Sequence, residues 1–240
     1  MMRVVIIGAS GFGGEVAWTV QRMAAAAGGS VARASCPCPT GGTPVPREVL
    51  QESRTIEIVG FCDDAPEKRS GIWRGLPLLG PIEAAACGEG VRFHVAVGGN
   101  AARERLAARA AAHGWLPLTV IDPAAVVAPD ARVGDGCYIG AGAVVSCGAT
   151  LGAGVIVNLQ ATVGHDAVVD SFAQICPGAR VSGGCRIGAR ALLGSNAVVI
   201  PGVCVGADAT VGASAAALRD VPGGGGVVRM SRSGAGIGAR

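Results

Sequence analysis

From Val127 onward an aliphatic residue occupies every sixth position of the chain without a slip. The series is Val127, Val133, Ile139, Val145, Leu151, Val157, Val163, Val169, Ile175, Val181, Ile187, Leu193, Val199, Val205 and Val211. Fifteen consecutive matches in one phase exclude coincidence. Two residues before most of them sits a small residue, such as Ala131, Ala143, Ala149, Ala161 or Ala173, with Val155 and Val203 as exceptions. Glycine often follows the aliphatic position, as at Gly134, Gly140, Gly164 and Gly188. A hexapeptide period marks a parallel β-helix, in which each unit supplies a short strand and a corner, and three units close one coil. The aliphatic side chain then points inward and stacks on its equivalent 18 residues away.

Residues 3–120 have a different rhythm. Arg3–Ile7, Ile56–Phe61, Leu76–Leu79 and Phe93–Val97 read as strands. Helical patterns run from Glu15 to about Ala27 and from Ile82 to Ala86. A third starts at Asn100, as cap, and reaches His113, with Gly114 as its stop. Strands alternating with helices predict a parallel sheet. The glycine loop Gly8–Ala9–Ser10–Gly11–Phe12–Gly13–Gly14 after the first strand predicts a nucleotide site at a helix N-terminus. Asp63 or Asp64, at the tip of the second strand, is placed to accept hydrogen bonds from ribose or base. Gly8, Gly11 and Gly14 equally fit the G-x-x-G-x-x-G of some nicotinamide enzymes, so an oxidoreductase competes at this point. Residues 28–55, with few apolar side chains and several prolines, read as an inserted loop.

Composition sharpens the picture. The 240 residues include 40 glycines and only eight aromatics, so the core is built from Ala, Val, Ile and Leu. Net charge is +3, without a basic stripe, which argues against nucleic acid as a partner. No stretch reads as a membrane span or a signal segment, so a cytoplasmic protein is expected. The nine cysteines read as reduced thiols. Cys36 and Cys38 lack the paired ligands of a zinc site, and Cys137 and Cys185 take alanine positions of the repeat.

These segments together resemble a known family. Ile7–Gly13, Val59–Asp64, Leu76–Gly80, Val95–Asn100 and the hexapeptide helix carrying Gly164–His165–Asp166 follow one another as in the sialic acid O-acetyltransferase and bacillosamine or perosamine N-acetyltransferase type of sugar acyltransferase. The resemblance implies an α/β Rossmann-like N-terminal domain (1–120) that holds a nucleotide-sugar. An all-β left-handed parallel β-helix (121–220) and a C-terminal tail (221–240) follow it. It implies a homotrimer with acetyl-CoA lying between neighbouring helices, and acetyl transfer to a sugar, with N-acetylation of a nucleotide-linked amino sugar as the leading form. Sugar O-acetylation and a non-catalytic nucleotide-binding scaffold are the competing readings.

His165 is the one histidine of the repeat region, at a corner where a small residue would suffice. A neutral imidazole suits proton removal from an amine or hydroxyl near pH 7. Asp166 is expected to hold the other ring nitrogen, while His94 and His113 read as structural. The resemblance adds Ser10, Gly11, Phe12, Asp63, Asp64, Gly98 and Asn158 as substrate positions. It adds Gln174, Gly183, Ser195 and Ala213 along the acetyl-CoA groove, with the Gly183 amide near the thioester oxygen. The chain departs from the family at Phe12 and Gln174, where some members carry histidine. Its tail also lacks the usual Gly-x-Pro-Ala ending.

Overall fold

The computed structural model describes residues 2–27, 56–224 and 227–228. The expected insertion over 28–55, with Cys36 and Cys38, lies outside them. The first part begins with β1 (Met2–Ile7), α1 (Gly11–Ala26), β2 (Ile56–Cys62), β3 (Ile72–Trp73) and β4 (Leu76–Gly80). It continues with β5 (Arg92–Val95), α2 (Asn100–Ala112) and β6 (Leu116–Pro117). The sheet order is β3-β4-β2-β1-β5-β6, parallel except for the β3–β4 hairpin. Central β1 reads as Val4–Val5–Ile6–Ile7 because both faces are covered, and these residues are essentially unexposed. The chain passes from β2 on one side of β1 to β5 on the other. The carboxyl ends of β1 and β5 therefore form the crevice in which ligands of open α/β sheets bind.

Three local expectations change. α1 begins at Gly11 rather than Glu15, because Ser10 is extended at the N-cap and the helix starts at once. The close approach needs glycine: a Cβ on Gly13 would stand 2.0 Å from the Gly8 carbonyl oxygen. The Ile82–Ala86 helix is a single 3-10 turn, Ile82–Ala84. Asn100 does not cap α2, since its side chain donates across to the second part of the molecule, to the Arg190 and Ala191 carbonyls.

From Val120–Ile121 the chain is a left-handed β-helix of two-residue strands, one every six residues. Up to Ala216–Ala217 each strand pairs in parallel with its equivalent 18 residues away, as in Tyr138↔Ile156 and Thr162↔Arg180. Three sheets of seven, six and five strands result. The repeat aliphatics from Ile139 to Val211 are buried in one stack with the corner alanines. Cys137 and Cys185 stand in for alanine because each thiol donates to a corner carbonyl, Gly152 and Ile200, at 3.1 Å. All seven described cysteines are free. Burial pushes the Cys137 thiol up to about 12, so it is inert at neutral pH.

The ladder does not stop at residue 220. Val221 bridges Val205, and Val227–Val228 pairs with Thr210–Val211. The tail thus begins as one more piece of coil. Among the described residues no helix is long and apolar enough to cross a membrane.

Candidate active site

Two regions carry the candidate residues. At the carboxyl edge of the first sheet, Asp63 does not present a free carboxylate. It accepts from the Ala9 amide at 2.9 Å, the Ala65 amide at 3.0 Å and Lys68 Nζ at 3.2 Å. Burial works to raise its pKa, but the two amides and Lys68 outweigh this and hold it below the usual carboxylate value. Asp63 is thereby a clasp on the glycine loop. Asp64 is engaged with Arg109 at 2.6 Å and 3.2 Å, and Arg109 also grips Glu83. Ser10 makes no capping bond and is exposed, leaving its hydroxyl and the first amides of α1 open. Gly11 and Gly98 both face open space. Phe12 packs edge-on against Tyr138 of the solenoid, with centroids 5.3 Å apart.

On the solenoid, His165 and Asp166 occupy the corner between Thr162–Val163 and Val168–Val169. His165 Nδ1 lies 2.9 Å from Asp166 Oδ2, and both side chains are open to solvent, 66% and 73% exposed. Asp166 takes the left-handed backbone conformation, φ +57°, and its amide donates to the Cys147 carbonyl one coil below. The carboxylate thus holds the ring by one nitrogen and leaves Nε2 unencumbered. Gly183 sits one coil on in the same corner column, directly against the ring: a Cβ there would lie 2.3 Å from Nε2. Among the described residues its N–H donates to no backbone carbonyl. His165 Nε2 therefore lies beside a backbone position whose amide is unspent, a placement that fits proton removal beside a developing oxyanion.

Asn158 lies at the other end of the Thr162–Val163 strand, 9% exposed, with Oδ1 accepting from the Leu159 amide at 2.7 Å. Gln174 is half-buried on the sheet that faces α1. Its Nε2 reaches Cys176 Sγ at 3.6 Å while Oε1 is buried without a partner among the described residues. Ser195 and Ala213 stand one coil apart on a different corner, in line with Leu159 and Pro177. Ser195 lines a groove of about 460 Å³ along that corner, whose opposite wall is Trp18. Within one chain Ser195 and Ala213 do not meet His165: a full triangle face separates the two corners, roughly 15–20 Å for six extended residues. The structure brings together His165, Asp166 and Gly183, and separately Ser10, Gly11 and Gly98.

Sequence reasoning missed the residues that join the two parts. Tyr138 is fully buried, its hydroxyl 2.9 Å from Glu15 and 3.3 Å from Thr19 on α1. Arg22 pairs with buried Asp122 at 3.2 Å. Arg103 is buried against the solenoid corners. The available signal was that Tyr138 breaks the repeat at an outward strand position, and that Arg103 is a lone cation midway along an alanine-rich face.

Comparison with known proteins agrees with this architecture. A family signature described as the PglD N-terminal domain matches residues 44–110. A bacterial transferase hexapeptide signature matches 119–147, and a hexapeptide repeat of succinyl-transferase matches 184–214. No curated protein sequence matches the chain. Among solved structures, a variant of perosamine N-acetyltransferase from Caulobacter crescentus, in complex with CoA and GDP-perosamine, superposes with TM-score 0.75 at 27% identity. The match covers 95% of this chain and 94% of that one. WeeI from Acinetobacter baumannii shares the fold, with TM-score 0.75 at 22% identity, over 93% and 95% of the two chains. The acetyltransferase domain of PglB from Neisseria gonorrhoeae, in complex with acetyl coenzyme A, superposes with TM-score 0.73. That domain is 32% identical over 92% of both chains, so the likeness spans both halves. With both halves matched in order and along nearly their whole length, the chain belongs to the bacillosamine–perosamine N-acetyltransferase family of hexapeptide-repeat sugar acyltransferases.

Proposed function

We propose that this acyltransferase moves the acetyl group of acetyl-CoA onto the amine of a nucleotide-linked amino sugar, with His165 as general base. The observation that carries the reading is the His165–Asp166–Gly183 corner, where a carboxylate-held imidazole lies against the Gly183 backbone. His165 Nε2 accepts a proton from the acceptor amine as its nitrogen attacks the thioester carbon. The Gly183 N–H faces the oxygen on which charge collects. When the carbon–sulfur bond breaks, the imidazolium returns the proton to sulfur and CoA leaves as the thiol. Asp166 holds Nδ1, so the ring keeps the tautomer and orientation this requires.

The reading extends to a homotrimer. The outer face of the six-stranded sheet carries Val126 and Val144, 62% and 37% exposed, and it runs between the His165 corner and the Ser195 corner. A second copy laid on that face would bring one chain's Ser195 and Ala213 towards another's His165, so acetyl-CoA fits between copies. Ser10, Gly11 and Gly98 bound the crevice for the nucleotide, with Asp63 shaping it through Ala9. Support for the substrate class comes from the relatives complexed with CoA and GDP-perosamine or with acetyl coenzyme A.

The test is thiol release from acetyl-CoA in the presence of GDP- and UDP-linked amino sugars. His165→Ala should lower turnover by about 10²- to 10⁴-fold, and Asp166→Asn by less, since it loosens the base without removing it. A folded His165→Ala protein with wild-type turnover overturns the mechanism.

A further inference from the structure

α2 meets the solenoid along a wall that repeats. Successive coils present the same corner about 4.8 Å apart, the spacing of paired strands. A purely apolar helix face could settle against such a wall at more than one height. The contacts here select one. Gly154, Phe172 and Arg190 stand 18 residues apart in one corner column, and among the described residues no backbone amide donates to their carbonyls. One turn of α2 supplies the missing donors. Arg103 Nε donates to Gly154 O at 3.2 Å and Nη2 to Phe172 O at 2.6 Å. Asn100 Nδ2 donates to Arg190 O at 2.8 Å. The carbonyls recur in every coil, but the side chain of Arg190 does not. Glu104 pairs with it at 3.2 Å, and Asp208 holds its other edge at 2.7 Å and 2.8 Å.

The same guanidinium also holds the rim of the crevice. Arg103 is 2% exposed and touches no carboxylate among the described residues, and Nη1 donates to Val97 O at 3.2 Å and Asn100 Oδ1 at 3.1 Å. Val97 and Asn100 bracket Gly98–Gly99, and a Cβ on Gly8 would lie 2.9 Å from Val97 Cγ2, so this segment and the glycine loop form one edge. With Nη2 also reaching Ala173 O at 3.5 Å, all five N–H donors of a buried cation are spent on tying that edge to the solenoid corners.

We propose that Asn100, Arg103 and Glu104 are positioning residues, a register lock that sets the height at which the nucleotide crevice stands along the solenoid. The catalytic consequence rests on the acetyltransferase reading above. A slip of one coil would displace the acceptor by about 4.8 Å, whereas a misplacement of about 1 Å already costs on the order of 10²-fold in rate.

The test pairs hydrogen exchange with kinetics in the full chain. Arg103→Met removes the fork and keeps the length. Asn100→Asp keeps the size and turns a donor towards the carbonyls into an acceptor. Either should speed amide exchange at Ala96, whose N–H donates to the Ile7 carbonyl, and at position 103, whose N–H donates to the Gly99 carbonyl, by about 10-fold or more, the sign of local opening of that edge. Each should lower kcat by about 10- to 100-fold with KM for acetyl-CoA within about twofold, because the donor groove is untouched while the acceptor is misplaced. Arg103→Lys, with one charged group in place of the fork, should fall between. Unchanged exchange overturns the lock, and so does faster exchange with unchanged kcat, which is what a merely structural contact would give. If Arg103→Met fails to fold, Asn100→Asp and Glu104→Gln at the half-exposed edge decide the matter. A wild-type protein that acetylates no nucleotide-linked amino sugar would overturn the functional reading and with it the lock's catalytic consequence, whereas unchanged exchange alone overturns the lock.

Discussion

At the residue scale, the candidate site depends on an atom that is missing. Gly183 has no Cβ, and that vacancy is where the His165 ring lies. Gly183→Ala should therefore push the imidazole off the corner and cut acetyl transfer by about 10²-fold or more, in line with the loss of a placed base. The solenoid should keep its far-ultraviolet circular dichroism, and retained turnover in the alanine variant would show that the ring does not work from this position. His94 makes a different argument. Burial, with a further push from the Arg103 cation and only partial compensation from the Leu118 carbonyl, lowers its pKa to about 4. Its neutral form is favoured in the fold, so this contribution is complete above about pH 6.5 and is lost as pH falls towards 4. About 2.5 pH units at 1.36 kcal/mol each set a scale of roughly 3 kcal/mol. Urea unfolding at pH 4.5 and pH 7 should show the gap narrowing in His94→Gln, and an equal gap in both proteins would remove His94 as its source. The His165–Asp166 corner was legible as a candidate in the sequence because one histidine interrupts a run of small corner residues. That Asp63 and Asp64 are engaged by Ala9, Ala65, Lys68 and Arg109 was not legible, since those partners come from other segments of the chain.

At the element scale, the hexapeptide phase predicted each solenoid strand, because an inward side chain must recur wherever the triangular coil turns a face inward. The phase continues to Ile121 and Ala217, one step beyond the aliphatic run at either end. Ile175 is fully buried between Val157 and Leu193 in the central stack. Ile175→Ala should cost about 2–5 kcal/mol, the range for emptying a buried aliphatic site. Denaturant unfolding measures it, and a cost under about 1 kcal/mol would mean that neighbouring coils collapse into the space. The first sheet's strands were legible from their buried runs, but its helix ends were not. Where α1 starts depends on Gly13 reaching the Gly8 carbonyl, and Asn100 is drawn from its helix by the Arg190 carbonyl. Both are contacts between segments, and neither leaves a mark in local pattern.

At the scale of the whole molecule, the proposed site is shared between two halves and between copies. Sedimentation at micromolar concentration should give about three times the chain mass, because Val126 and Val144 leave an apolar face that association would cover. A monomer would sink the shared groove. The first domain should gain thermal stability with a nucleotide-linked amino sugar and not with NAD, since ligand binding to the folded state alone raises the melting temperature. A larger shift with NAD would count against the crevice assignment. What the amino-acid sequence determined by itself was periodic or local: the coil, the small corners, the lone His165 and the glycine loop. Each follows from side-chain size and spacing along one stretch of chain. Only the tertiary structure decided how the halves stand together. That relation rests on Tyr138 between Glu15 and Thr19, Asp122 on Arg22, and Arg103 on the Gly154 and Phe172 carbonyls. A backbone carbonyl looks the same in every residue, so its need for a partner becomes visible only once the chain has folded around it.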